Sequence, residues 1–433
     1  MIKQLRRLAR EGYYRIKTTG VSKTTLEQEL NFIERRQKEG YFLTAYKLVQ
    51  EIKKDKNILL GPGRSWMISS HVCRTLEITA INPGSVGITP ILVWGDVSYD
   101  PIIDIEVDED SFSTIFTKAI ETFGFDNVAQ MPALFEKDEL KNKHEVIGLK
   151  ANGEKVYLHG CALLICPDGI SKHLQVEEIT DDNGNKILCA KEFYENCDNK
   201  EVYRFNVLTS SELTRIKNIQ KLISENGKKY PLLYEKDIWH EKYDVFYKDD
   251  LNDIPLFELA NWRTLTHMLI KKQKYGSFNE LLTIMGLFIK KKGYNLLDED
   301  DIEEFQCEHG VYSLLGEKRF PWGFLFKEDV AWLLNGWIGL TWIETAQVIK
   351  QIKVKDTKET QRLMNTYLRH GIDNGFNEQD LLEIWNELFN TERNGQLVSM
   401  AHCTGELYLS VFLGKLKTEF PSEFKAISER VTY

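Results

Sequence analysis

Apolar positions recur along the chain with two periods, and the change from one to the other divides it. From residue 24 to 56 they fall at helical spacing: Leu26, Leu30 and Ile33, then Phe42, Ala45, Leu48 and Val49. Ile58-Leu59-Leu60 is a short apolar strand that runs into Gly61-Pro62-Gly63-Arg64, and a second helical stretch follows through His71 and Leu76. Residues 90–94 and 102–107 alternate or run apolar as strands do, and so does Cys161 to Ile165, which ends at the turn Pro167-Asp168-Gly169. Asp181-Asp182-Asn183-Gly184-Asn185 predicts a hairpin turn within the polar region 171–200. Tyr203 to Leu208 is a strand that leads into a helix over 210–224. Beyond it, 260–275, 278–291, 327–335, 342–353, 357–371, 377–390 and 400–418 all predict helices. The first half is therefore α/β and the second nearly all helical.

At 433 residues the chain exceeds one typical core, which predicts two or three domains. No apolar run reaches membrane-spanning length, and no leader pattern opens the chain. The seven cysteines, Cys73, Cys161, Cys166, Cys189, Cys197, Cys307 and Cys403, form no C-x-x-C pair, and their odd count argues against a disulfide framework. A reducing cytoplasm suits them; Cys161 to Cys166 is most simply a buried strand with inert thiols. A net charge of -9 argues mildly against nucleic acid, but lysines cluster at 53–56, 271–274, 290–292 and 350–358. The simplest reading of any one cluster is a solvated helix face.

Two features carry chemistry. The strand, the Gly-Pro-Gly-Arg turn and the helix with Ser65, Ser69 and Ser70 in its first turns form a natural seat for phosphate. Asp104 and Glu106 lie two apart on a predicted strand, hence on one face, where two carboxylates can share magnesium for phosphoryl transfer. Either feature alone also reads as an ordinary turn or a solvated strand face.

Their order adds to this. Glu29-Leu30-Asn31-Phe32-Ile33, Tyr41-Phe42-Leu43, Leu60 to Ser70 and Pro101-Ile102-Ile103-Asp104-Ile105-Glu106-Val107 follow one another as in a known palm domain. Later segments continue the series: Phe123 to Gln130, His159 to Ile165, Tyr203-Arg204-Phe205-Asn206-Val207-Leu208, Phe257-Glu258 with Arg263, Ser277 to Phe288, Gly323 to Glu328, His402, and Leu416 to Phe424. Together they resemble the palm and fingers of the bacterial DNA polymerase III alpha subunits, the C-family DNA polymerases.

The resemblance implies an α+β fold: a polymerase-beta-like nucleotidyltransferase palm with a mixed sheet, plus a large helical fingers domain. By position, 1–110 is the first part of the palm, 111–154 a vestigial thumb region, 155–210 the second part of the palm and 211–433 the fingers-like domain. Asp104, Glu106 and Asn206 take the places of the family's three catalytic aspartates, with magnesium on Asp104 and Glu106. Gly61, Gly63, Arg64, Ser65, Ser69 and Ser70 take the phosphate-binding places. DNA, a nucleoside triphosphate and other replication proteins are the implied partners, with no membrane, a cytoplasmic location, and a setting in replication, repair, a phage or a mobile element. The family's N-terminal phosphoesterase-like domain, full thumb and clamp-binding end are expected to be missing.

The departures fall on the chemistry. Glu106 adds a methylene, which displaces its oxygens by about an ångström. Asn206 carries no charge and cannot take a proton from a primer hydroxyl. Trp66 replaces a small residue and is expected to stand over the phosphate seat. Fingers arginines are replaced at Ile289-Lys290-Lys291-Lys292 and Gln347-Val348. Two functions therefore stay open: a polymerase-like enzyme with a weak or inactive centre, or a non-catalytic scaffold or inhibitor that binds nucleic acid or a replication partner. His71 and His402 read as packed or surface histidines, and Trp322, Trp332, Trp337 and Trp342 read as core.

Overall fold

The structure is a computed structural model that describes residues 1–16, 21–87, 102–132, 146–151, 153, 155–181, 184–191, 201–233, 252–256, 277–290, 324–389 and 397–431. The expected strand at 90–94, the helix at 260–275, Pro101, Arg263 and Trp322 lie outside these residues.

Three helices open the chain: α1 (Ile2–Ile16), α2 (Lys23–Arg35) and α3 (Glu39–Ile52). The single periodic run from 24 to 56 is broken at Gln37, whose φ of 57° the α-helix cannot hold. Ser22 caps α2 by accepting from the Thr25 N–H, and Leu26, Leu30 and Ile33 bury its inner face. The apolar faces of these helices share a core with α4 (His71–Thr75), α5 (Phe112–Phe123) and one face of the sheet.

Seven strands form one mixed sheet among the described residues: β1 (Ile103–Asp108), β2 (Val128–Pro132), β3 (Val146–Lys150), β4 (Lys155–Ile165), β5 (Val176–Thr180), β6 (Lys186–Ala190) and β7 (Tyr203–Ser210). Their order is β1-β7-β4-β2-β6-β5-β3, and β3 also pairs with β4. The long strand β4 explains this. Its second half, from Ala162, pairs with β7, and its first half pairs with β3, so the sheet curls back on itself and closes a ring of five strands. The expected hairpin turn joins β5 to β6, with Gly184 at φ +82° and its N–H bonded to the Asp181 carbonyl. Residues 111–154 thus add a helix and two strands to the common sheet.

Strand alternation sorts β1 and β7. Ile103, Ile105 and Val107, with Tyr203, Phe205 and Val207, enter the core under α1 to α5. Asp104, Glu106, Asp108 and Asn206 therefore share the opposite face. On that side lies α6 (Ser211–Glu225), which joins a second core with α7 (Phe278–Lys290), α12 (Met400–Glu419) and α13 (Pro421–Val431). A third, separate core is helical: α8 (Lys327–Ala331), α9 (Trp342–Val354), α10 (Thr357–Asp373) and α11 (Glu378–Leu388). Trp332 and Trp337 sit on a π-helical turn, 5.4 Å apart, and pack on that core, as their spacing predicts. The chain is α+β, and no described helix is long and apolar enough to cross a membrane.

Candidate functional site

β1 and β7 run parallel with Asp104 directly opposite Asn206. The Asn206 amide donates to Asp104 Oδ1 at 2.8 Å, so these two expected site residues meet. Their strands are fixed from behind by Tyr41 of α3. Its hydroxyl accepts from the Ile103 N–H at 2.6 Å, donates to the Arg204 carbonyl at 2.7 Å, and its ring stacks on Phe205. Asn206 Oδ1 is buried and has no hydrogen-bond partner among the described residues.

Glu106, 8% exposed, stands next along the face. Burial pushes its carboxyl up to about 7, opposed by Arg64 and reinforced by the nearby charges of Glu212 and Glu406. Burial likewise raises Asp104, against the Asn206 hydrogen bond and the charges of Arg64, Arg204 and His402. Both carboxylates are thus held where their charge is under-compensated.

The Gly61–Arg64 turn lies against Glu106. The Gly61 N–H donates to the Glu106 backbone carbonyl at 2.8 Å, and a Cβ on Gly61 would collide with the Glu106 carboxylate. Gly63 takes φ +104°. Arg64 reaches Glu106 at 3.4 Å and Glu406 of α12 at 3.5 Å, distances of ion pairs more than of tight hydrogen bonds. Glu406 in turn pairs with His402 at 3.2 Å, which holds its carboxyl below the ordinary glutamate range. The α12 helix comes this close because residue 405 is glycine: a Cβ there would lie 2.8 Å from the Gly63 carbonyl.

The helix expected directly after the Gly-Pro-Gly-Arg turn starts later and is short. The residues after Arg64 form a 3-10 turn, Ser65–Ser69, followed by a helix of five residues. The cause is the apolar run Trp66-Met67-Ile68, all buried: Trp66 and Met67 enter the core under the sheet, and Ile68 enters the core around α12. Trp66 therefore does not stand over the seat. Its indole N–H donates to the Ile102 carbonyl at 2.8 Å and its ring lies edge-on to Phe42. Ser69 and Ser70 are buried and engaged: Ser69 Oγ donates to the Trp66 carbonyl, while Ser70 Oγ donates to Glu29 at 2.5 Å and accepts from the Cys73 N–H. Both hydroxyls are thus engaged within the fold, while Gly61, Gly63, Arg64 and Ser65 lie on the turn itself.

Three contributors escaped the sequence reading. Asp108 continues the face of Asp104 and Glu106 but accepts from Leu59 N–H, Ser111 Oγ and Lys217 Nζ, the last at 2.6 Å. Glu29 caps α4 from another helix. Glu406 lies one turn after His402, an i,i+4 pairing that could have singled it out.

Residues 3–152 match the family model of the bacterial DNA polymerase III alpha NTPase domain. The DNA polymerase III alpha subunit of Campylobacter jejuni is 21% identical over 473 aligned positions, covering 93% of this chain and 38% of that protein. The corresponding subunit of Mycoplasma genitalium is 20% identical, over 92% of this chain and 51% of its own length. An error-prone DNA polymerase of Hahella chejuensis is 42% identical over 82 residues, 18% of this chain and 8% of that protein. The chain therefore spans about half or less of the length of these relatives. The likeness to DNA polymerase III alpha subunits covers most of the chain, at low identity.

Proposed function

We propose, from the likeness to DNA polymerase III alpha subunits over 93% of the chain, that this protein is a nucleotidyltransferase-type palm with helical fingers that engages DNA and a nucleoside triphosphate and supports slow nucleotide transfer at most. In this reading 1–110 and 155–210 are palm, 111–154 is a reduced thumb region and 211–433 is fingers-like, working in the cytoplasm beside other replication proteins. One observation carries it: Asp104 faces Asn206 across the β1–β7 pair, with Glu106 on the same face.

A divalent cation fits this donor set, which offers two under-compensated carboxylates and the buried Asn206 Oδ1, unpartnered among the described residues. Asp104 and Glu106 would hold magnesium, with Asn206 as a neutral third oxygen donor. Bound there, the ion supplies Lewis-acid polarisation of a phosphoryl oxygen. The chain's own residues set the limits. Arg64 is the cation at the turn, and its guanidinium must exchange Glu106 and Glu406 for a phosphate. The turn at Gly61 and Gly63 lets backbone come close, and Ser65 adds a hydroxyl. Asn206 cannot accept the proton of a primer hydroxyl, which removes about 10²–10⁴ in rate.

The test is primer extension with magnesium or manganese. Little synthesis is expected from wild type, none from Asp104→Ala, and more from Asn206→Asp combined with Glu106→Asp. Robust synthesis that survives Asp104→Ala would overturn the assignment. A second reading, a non-catalytic DNA-binding scaffold or inhibitor, is favoured by the Asn206 amide already bonded to Asp104 and by Arg64 already paired with Glu106. It predicts DNA binding indifferent to magnesium and no synthesis from the double substitution.

A further inference from the structure

At the end of β4, a turn gathers three donors of a different kind. Cys166 follows the last strand residue, and its N–H is anchored to the Asn127 carbonyl at 2.8 Å. Pro167 and Asp168 make the turn, closed by the Gly169 N–H on the Cys166 carbonyl, with Gly169 at φ +111°. One 3-10 turn, Ile170–Lys172, then brings His173 back. The result is a preassembled cluster. Cys166 Sγ lies 2.9 Å from Asp168 Oδ1, His173 Nε2 lies 3.2 Å from the same oxygen, and all three donor atoms fall within 4.8 Å of one another.

We propose that Cys166, Asp168 and His173 form a binding site for one transition-metal ion of the zinc class. A thiolate, an imidazole and a carboxylate are a donor set that zinc or cobalt takes in tetrahedral geometry, here with a fourth position for water or a partner's group. Magnesium, which prefers oxygen, is selected against by the sulfur. The site is separate from Asp104: Cys166 is four residues along β4 from Ala162, the partner of Asn206, or roughly 13 Å away. Entry is from the solvent side, where Asp168 is 55% exposed, while Cys166 is buried. In the free chain the Cys166 thiol donates to Asp168, so an incoming ion displaces one proton from sulfur to solvent.

The experiment titrates the whole chain, stripped with a chelator, with cobalt(II) and then zinc(II). One equivalent of cobalt should produce a thiolate-to-cobalt charge-transfer band that zinc abolishes, and zinc should raise the unfolding temperature. Cys166→Ser should lose the band, His173→Asn should weaken binding at least about 100-fold, more than the loss of a supporting contact costs, and Asp104→Ala should keep both. The absence of a band in wild type, or its persistence in Cys166→Ser, overturns the proposal. If Cys166→Ser does not fold, unchanged cobalt affinity in folded His173→Asn does the same.

Discussion

Glu106 and Asp108 stand two residues apart on one face of β1, both buried, in opposite circumstances. Asp108 is surrounded by donors: a backbone N–H, a hydroxyl and the Lys217 ammonium. Glu106 meets a single guanidinium at 3.4 Å, shared with Glu406, and two further carboxylates stand close enough to oppose its charge. A buried carboxylate ringed by donors is part of the scaffold. One left short of them marks a place that another charge must complete. Four substitutions sharpen or break this contrast.

The largest effect is expected at the satisfied end. Asp108→Ala strands a partly buried lysine and a backbone N–H, and should cost about 3–5 kcal/mol in urea unfolding. If Asp108→Leu with Lys217→Leu recovers most of that loss, the pair is a structural unit. A loss under about 1 kcal/mol would show that Asp108 is no anchor.

His71 is buried, its Nδ1 is unpartnered among the described residues, and burial pushes it down to about 4 from 6.5. The folded state holds it neutral, so its contribution is fully present above pH 6.5 and is lost as pH falls towards 4. That contribution should fall by about 3 kcal/mol across the window, and the difference between wild type and His71→Gln stability should follow it.

Ser70→Ala removes the cap of α4 and a bond to Glu29, and should cost about 1–2 kcal/mol. Its affinity for a nucleoside triphosphate should not change, whereas Arg64→Ala should weaken it. Loss of nucleotide affinity in a stable Ser70→Ala protein would return that serine to the phosphate site.

The smallest effect has the opposite sign. Glu106→Gln removes an under-compensated buried charge and should stabilise the metal-free chain by about 1 kcal/mol at neutral pH. Magnesium should then raise the unfolding temperature of wild type and leave the variant unmoved. Destabilisation by Glu106→Gln would mean that Arg64 satisfies this carboxylate as fully as Lys217 satisfies Asp108.

What could be read ahead of the structure was local or carried by order. The helices Trp342–Val354 and Met400–Glu419 follow from apolar spacing within a residue or two of the observed ends. The meeting of Asp104 with Asn206 followed from the order of matching segments. What escaped depends on partners distant in sequence. The bond of Ser70 to Glu29 was hidden because Glu29 lies 41 residues earlier on another helix. Trp66 looked obstructive because a turn's sequence does not say which way a ring will point; two cores on either side of Ser65–Ser69 decide it. Asp108 escaped because Lys217 is 109 residues away.

The close packing of Gly405 on Gly63 has a consequence for how the molecule matures. Arg64 and Glu406 are separated by 342 residues, so the turn that holds Arg64 is finished by a helix made long after it. Until α12 arrives, Ile68 lacks part of its core and Arg64 lacks Glu406 as a counter-ion beside Glu106. The sheet and the first five helices can assemble early from nearer contacts, but the turn beside Glu106 stays incomplete on the ribosome. Assembly thus orders the surroundings of two neighbouring carboxylates of β1 in time, because Asp108 gains Lys217 long before Arg64 gains Glu406.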